Sequence, residues 1–94
     1  MQHIELLVTV LEYIEIHLRD DMKTDDIASA CFCSKSALEK LFRSVYHISV
    51  HGYIVRRRMM LAAKQLSMQP QRSILDIAIE YGYSTHESFA RAFE

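Results

Sequence analysis

Cys31 and Cys33 are the first residues that could do chemistry, and their spacing argues against the usual kinds. Cysteines one residue apart are too close for an ordinary disulfide and supply only half of a tetrahedral zinc site. His47 and His51 share a helical face four residues apart, but the glutamate and third ligand of a His-Glu-x-x-His arrangement are missing. The cysteines therefore read as reduced buried thiols and the five histidines as ordinary surface imidazoles. No Ser/His/Asp or Cys/His set, phosphate-cradling Gly loop or carboxylate pair stands out. The chain is read as a non-enzyme with no catalytic residue, no metal and no cofactor.

The cations are more informative. The 94 residues hold 11 Lys and Arg against 12 Asp and Glu, a formal net charge of -1, which at first sight argues against a polyanionic partner. The distribution reverses that impression. Residues 1–26 carry seven acids against Arg19 and Lys23, leaving -5, whereas the remainder carries nine bases against five acids, leaving +4. Such a dipolar molecule can set a basic face on DNA and turn its acidic end elsewhere.

The elements that must position these charges are helical. Half the residues are apolar, and two Gly and one Pro leave few breakers, so the expectation is an all-α globule. Ile4, Leu7, Leu11, Ile14 and Leu18 make the stripe of an amphipathic first helix over residues 3–18. Thr24 is placed as the cap of a second helix from Asp25 to Cys31, and Ser34 as the cap of a third starting at Lys35. A long helix runs from Ser49 to Met68 before Pro70. A fifth opens near Ser73 and closes at Gly82, and Ser84-Thr85-His86-Glu87 matches the capping box of a sixth. No apolar run reaches the roughly 20 residues of a membrane span, so no membrane contact and a cytoplasmic location are expected.

The chain also repeats itself. Asp26-Ile27-Ala28 recurs as Asp76-Ile77-Ala78 fifty residues later, and Ser34 recurs as Ser84. Beyond that serine the offset becomes 51, which aligns Leu38 with Phe89, Lys40 with Arg91 and Phe42 with Phe93. Each copy reads as a short helix, a tight turn and a capped helix, with a small alanine where two helices approach. That is the logic of a helix-turn-helix. The competing reading is a helical hairpin repeated in an adaptor that binds protein rather than DNA. The long middle helix favours the first reading, because a rod of roughly 25 Å with a unit at each end can hold two reading heads near the 34 Å repeat of B-DNA.

These residues resemble the AraC/XylS transcriptional activators over nearly the whole chain. The resemblance rests on Tyr13-Ile14, on Ile27-Ala28 with Ser34, Leu38 and Phe42, and on Tyr53-Ile54, Arg58-Met59 and Ala62-Ala63. It continues through Ile74, Asp76-Ile77-Ala78, Gly82-Tyr83-Ser84, Ser88-Phe89, Arg91 and Phe93. It implies a homeodomain-like fold: a first helix-turn-helix subdomain over 1–48, a linker helix over 49–69 and a second subdomain over 70–94. It further implies sequence-specific binding to double-stranded promoter DNA as a monomer and recruitment of RNA polymerase. Where the family often has Gly, this chain has Phe32 and His47, so those turns are expected to differ locally. The family continues beyond the last Phe, so the final helix is expected to be truncated at Glu94, with an effector-binding domain C-terminal to it.

Side chains near the start of a recognition helix reach base edges, and those at its ends meet phosphates. In the first unit Ser36, Glu39 and Lys40 are expected to face bases, with Lys40 donating to guanine and Glu39 accepting from cytosine. Ser34, Lys35 and Arg43 are expected at phosphates. In the second unit His86, Glu87 and Arg91 are the base readers, and Ser84, Thr85 and Ser88 the phosphate contacts. The small Ser36 and Ala37 suggest that the first unit reads bases less strongly. Arg56 and Arg57 look like a phosphate patch on the linker helix, whereas Arg58 is a structural candidate that could pair with Asp76 or Glu80.

Overall fold

The computed structural model describes residues 3–83 and residue 91. Within them the chain folds into α1 (His3–Ile16), α2 (Thr24–Ala30), α3 (Lys35–Tyr46), α4 (Val50–Met68) and α5 (Ile74–Glu80), arranged in a body of 45 × 22 × 21 Å. Of the proposed sixth helix only Arg91 is among the described residues, and it is helical; the rest lies outside them. Of the five described helices, three start at serines whose hydroxyls accept the third backbone N–H of the helix, at Ser34, Ser49 and Ser73. The cap of α2 is Lys23 rather than Thr24. There the Asp26 carboxylate accepts the Lys23 N–H at 3.2 Å, so an acid in the first turn reaches back to the cap residue.

Two cores are threaded by α4. Val10, Ile14 and Leu18 from the first helix and the residue just beyond it pack with Ile27, Ala28, Leu38 and Phe42, joined by Val50 and Ile54 from the start of α4. Further along, Met59 and Ala62 pack with Ile77, Ala78 and Tyr81. Leu61 lies against both. The small alanines fall at the predicted close approaches, with Ala28 4 % and Ala78 0 % exposed. Of the stripe expected on α1, Ile14 and Leu18 are buried and Leu7 and Leu11 pack against the core, whereas Ile4 is exposed and Val10 is fully buried beside them.

The turns at Phe32 and His47 do not depart from the left-handed geometry that glycine favours. Phe32 has φ 57° and His47 has φ 62°. Backbone hydrogen bonds hold both in place, since Cys33 N–H donates to Ala28 O at 3.0 Å and His47 N–H donates to Arg43 O at 3.1 Å. Closing the helix ends outweighs a strain of roughly 1–2 kcal/mol at each residue.

Candidate nucleic-acid interface

The α3 helix separates its surfaces sharply. Leu38 and Phe42 are fully buried, while Ser36, Lys40 and Arg43 are exposed. At about 100° per residue these last three fall within roughly 60° of one another on the side away from the core. Lys35 is exposed beside them, and none of Lys35, Ser36, Lys40 or Arg43 has a side-chain hydrogen bond or ion pair among the described residues. Ser34 opens the helix with its Oγ accepting from Ala37 N–H at 3.0 Å, which leaves its O–H free to donate outward. Lys40 also borders a shallow cleft with His3, Leu6, Ala37, Leu41 and Ser44, where the start of α1 lies against α3. A helix face with cations at one end, a small hydroxyl near the other and no internal neutralisation suits phosphate and base-edge contacts.

Two residues expected at DNA have partners within the fold. Glu39 is half-buried, and its Oε1 accepts the Val50 N–H at 2.8 Å, at the N-terminus of α4. A carboxylate there satisfies an otherwise unpaired amide and meets the positive end of the helix dipole, so Glu39 joins α3 to α4. Arg57 is also committed. Its Nε donates to Glu15 Oε1 at 2.7 Å and its Nη2 to Oε2 at 3.1 Å, a two-pronged pair that fastens α4 to α1. The hydrogen bond it donates to Glu15 raises the Arg57 pKa further. Its neighbour Arg56 is exposed and unpartnered among the described residues.

Arg58 is structural, as the sequence suggested, but with other partners. Its Nε donates to Leu18 O at 2.8 Å and its Nη2 to Asp20 O at 2.9 Å, closing carbonyls just beyond α1. Glu80 is held instead by Gln65 at 2.9 Å and Arg72 at 2.8 Å. Those two bonds, Gln65 first, lower its pKa below the usual glutamate range. Asp76 has its backbone N–H on Ser73 Oγ at 3.1 Å.

In the second unit Arg91 is helical and exposed. The other contacts expected there, the base readers His86 and Glu87 and the phosphate contacts Ser84, Thr85 and Ser88, lie outside the described residues. Cys31 is buried in the first core and Cys33 is half-buried. Burial, with Cys33 adding to it, pushes the Cys31 thiol up, and burial does the same to Cys33, so both favour the neutral, unreactive form. Among the described residues no helix is long and apolar enough to cross a membrane.

Comparison with known proteins agrees with this geometry. Residues 27–94 match the family described as Helix-turn-helix domain. The chain is 36 % identical over 93 residues to the regulatory protein SoxS of Salmonella typhimurium, spanning 99 % of this chain and 86 % of that protein. It is 33 % identical over 89 residues to the HTH-type transcriptional activator AarP of Providencia stuartii, which covers 95 % of this chain and 65 % of that one. Among solved structures, a transcriptional regulator of Chromobacterium violaceum described as AraC-type DNA-binding superposes with a TM-score of 0.86 at 27 % identity, over 95 % of this chain and 79 % of that chain. The chain belongs to the AraC-type helix-turn-helix family of DNA-binding transcription regulators.

Proposed function

We propose that this protein binds double-stranded promoter DNA as a monomer, setting two reading heads into adjacent major grooves on one face of the duplex, and that it activates transcription there. The observation that carries the reading is the outward face of α3, where Ser36, Lys40 and Arg43 stand exposed and unneutralised among the described residues. Support for a second head comes from the repeat that places Arg91 where Lys40 stands in the first unit. The 45 Å length accommodates two heads one 34 Å turn apart. In this reading Ser36 and Lys40 read one half-site, and His86, Glu87 and Arg91 the other. Ser34, Lys35, Arg43, Arg56, Ser84, Thr85 and Ser88 hold phosphates.

Activation is inferred from the relatives and implies contact with RNA polymerase in the cytoplasm. The test is selection of bound sequences from a random duplex library at two salt concentrations, repeated with Lys40→Ala and Arg91→Ala. A bipartite motif that loses one half with each substitution supports the reading. Salt-independent binding, or no DNA binding by the folded protein, overturns it in favour of a protein-interaction module.

A further inference from the structure

The residues that follow α1 are strapped to more of the molecule than the first core requires. Arg57 and Arg58 on α4 hold Glu15 and the Leu18 and Asp20 carbonyls, so residues 15–20 are fixed on the linker helix. Between those anchors Arg19 reaches the second core. Its guanidinium carbon lies 5.4 Å from the ring centroid of Tyr81, whose side chain belongs to the second core. Glu15, Ile16, Leu18, Arg19, Leu61 and Tyr81 together line one cleft of about 270 Å³ at the seam between the two units. Nothing in the first core needs Arg19, which is exposed.

We propose that Arg19, resting on Tyr81, is a positioning residue that braces the two helix-turn-helix units against each other and so sets which half-site spacing the protein accepts. The proposal rests on the two-headed reading above. A continuous α4 fixes the distance between the units, but a helix of this length can still bend and twist gently along its axis. A contact away from that axis resists such motion with a longer lever than any contact on it. The anchored stretch after α1 gives Arg19 a rigid base, and the buried Tyr81 gives it a rigid target.

An exposed cation–π contact is worth a factor of about two to five in an equilibrium, which bounds the effect. The experiment uses duplexes carrying the two selected half-sites at the preferred spacing and at spacings one base pair shorter, one longer and two longer. Dissociation constants are measured by fluorescence anisotropy for the parent protein, Arg19→Ala, Arg19→Lys and Tyr81→Phe, with folding checked by thermal melts. In Arg19→Ala the penalty for a wrong spacing is expected to shrink about two- to fivefold. Arg19→Lys and Tyr81→Phe keep a cation and an aromatic face and should retain most of the penalty. Weakening by the same factor at every spacing would make Arg19 a plain phosphate-attracting charge and overturn the brace, as would an unchanged spacing profile. If the parent protein itself shows no spacing preference, the two-headed reading fails and the brace with it. A parent preference that ignores Arg19 sinks the brace alone.

Discussion

The ends of α2 and α5 are built on the same backbone from different residues. In the first, Cys33 N–H donates to Ala28 O at 3.0 Å and Phe32 N–H to Ser29 O at 3.3 Å; in the second, Tyr83 N–H donates to Ala78 O at 2.9 Å and Gly82 N–H to Ile79 O at 3.1 Å. Each is the paired closure of a Schellman motif, offset by the fifty residues of the internal repeat. The residue in the left-handed position is Gly82 at φ 86° in one copy and Phe32 at φ 57° in the other. Phe32 is moreover 93 % exposed, so no packing offsets its strain. The comparison teaches that unpaired carbonyls at a helix end and the buried residues on either side dictate the turn. The residue at its apex only sets what the turn costs.

The largest test of that shared plan is in the cores. Ile27 and Ile77 are equivalent and both fully buried. Ile27→Ala and Ile77→Ala should each destabilise by roughly 2–5 kcal/mol in denaturant titrations. A negligible loss in one would show that its unit does not rely on the shared packing.

Next come the turn apices, where the two copies should respond with opposite sign. A Cβ on Gly82 would meet nothing within 4 Å, so the cost of Gly82→Ala is conformational, about 1 kcal/mol. Phe32→Gly relieves strain but loosens the unfolded chain, for a net stabilisation of roughly 0.5–1 kcal/mol. Equal signs in thermal melts would refute the account of the turns.

The sequence carried a good deal of this. Serines before periodic runs located the starts of α3, α4 and α5, and the repeated Asp-Ile-Ala located the paired short helices, because both signals act within a turn or two of the chain. What it could not carry was pairing at a distance. Glu39 and Val50 are 11 residues apart, and Glu15 and Arg57 are 42 apart. A helical wheel puts Glu39 near the outward side and Arg57 in a basic run, but says nothing of which neighbours will claim them. The same limit hid Arg19, which in the sequence is just one base in an acidic segment. Phe32 and His47 misled for a different reason: residue preference is a weak local term, and hydrogen-bond closure with packing on both sides overrides it.

The smallest effect separates the copies by pH. Glu80 has a lowered pKa, first through Gln65 and then Arg72, and the repeat aligns it with Ala30, which cannot titrate. A lowered folded pKa gives stability that is present above the unfolded glutamate value and disappears as pH falls through the folded one. The stability difference between the parent protein and Glu80→Gln should therefore be small and constant near neutrality and vanish below the usual glutamate range. A difference that grows toward acid pH would contradict the assignment. Exposure and salt keep the effect modest.

The central claim is that two heads read one duplex, and hydroxyl-radical footprinting on a selected site tests it most directly. The account predicts two protected patches on one face, about 10–10.5 base pairs apart, with Lys40→Ala erasing one and Arg91→Ala the other. A single patch, or the loss of both patches together with either substitution, would contradict it.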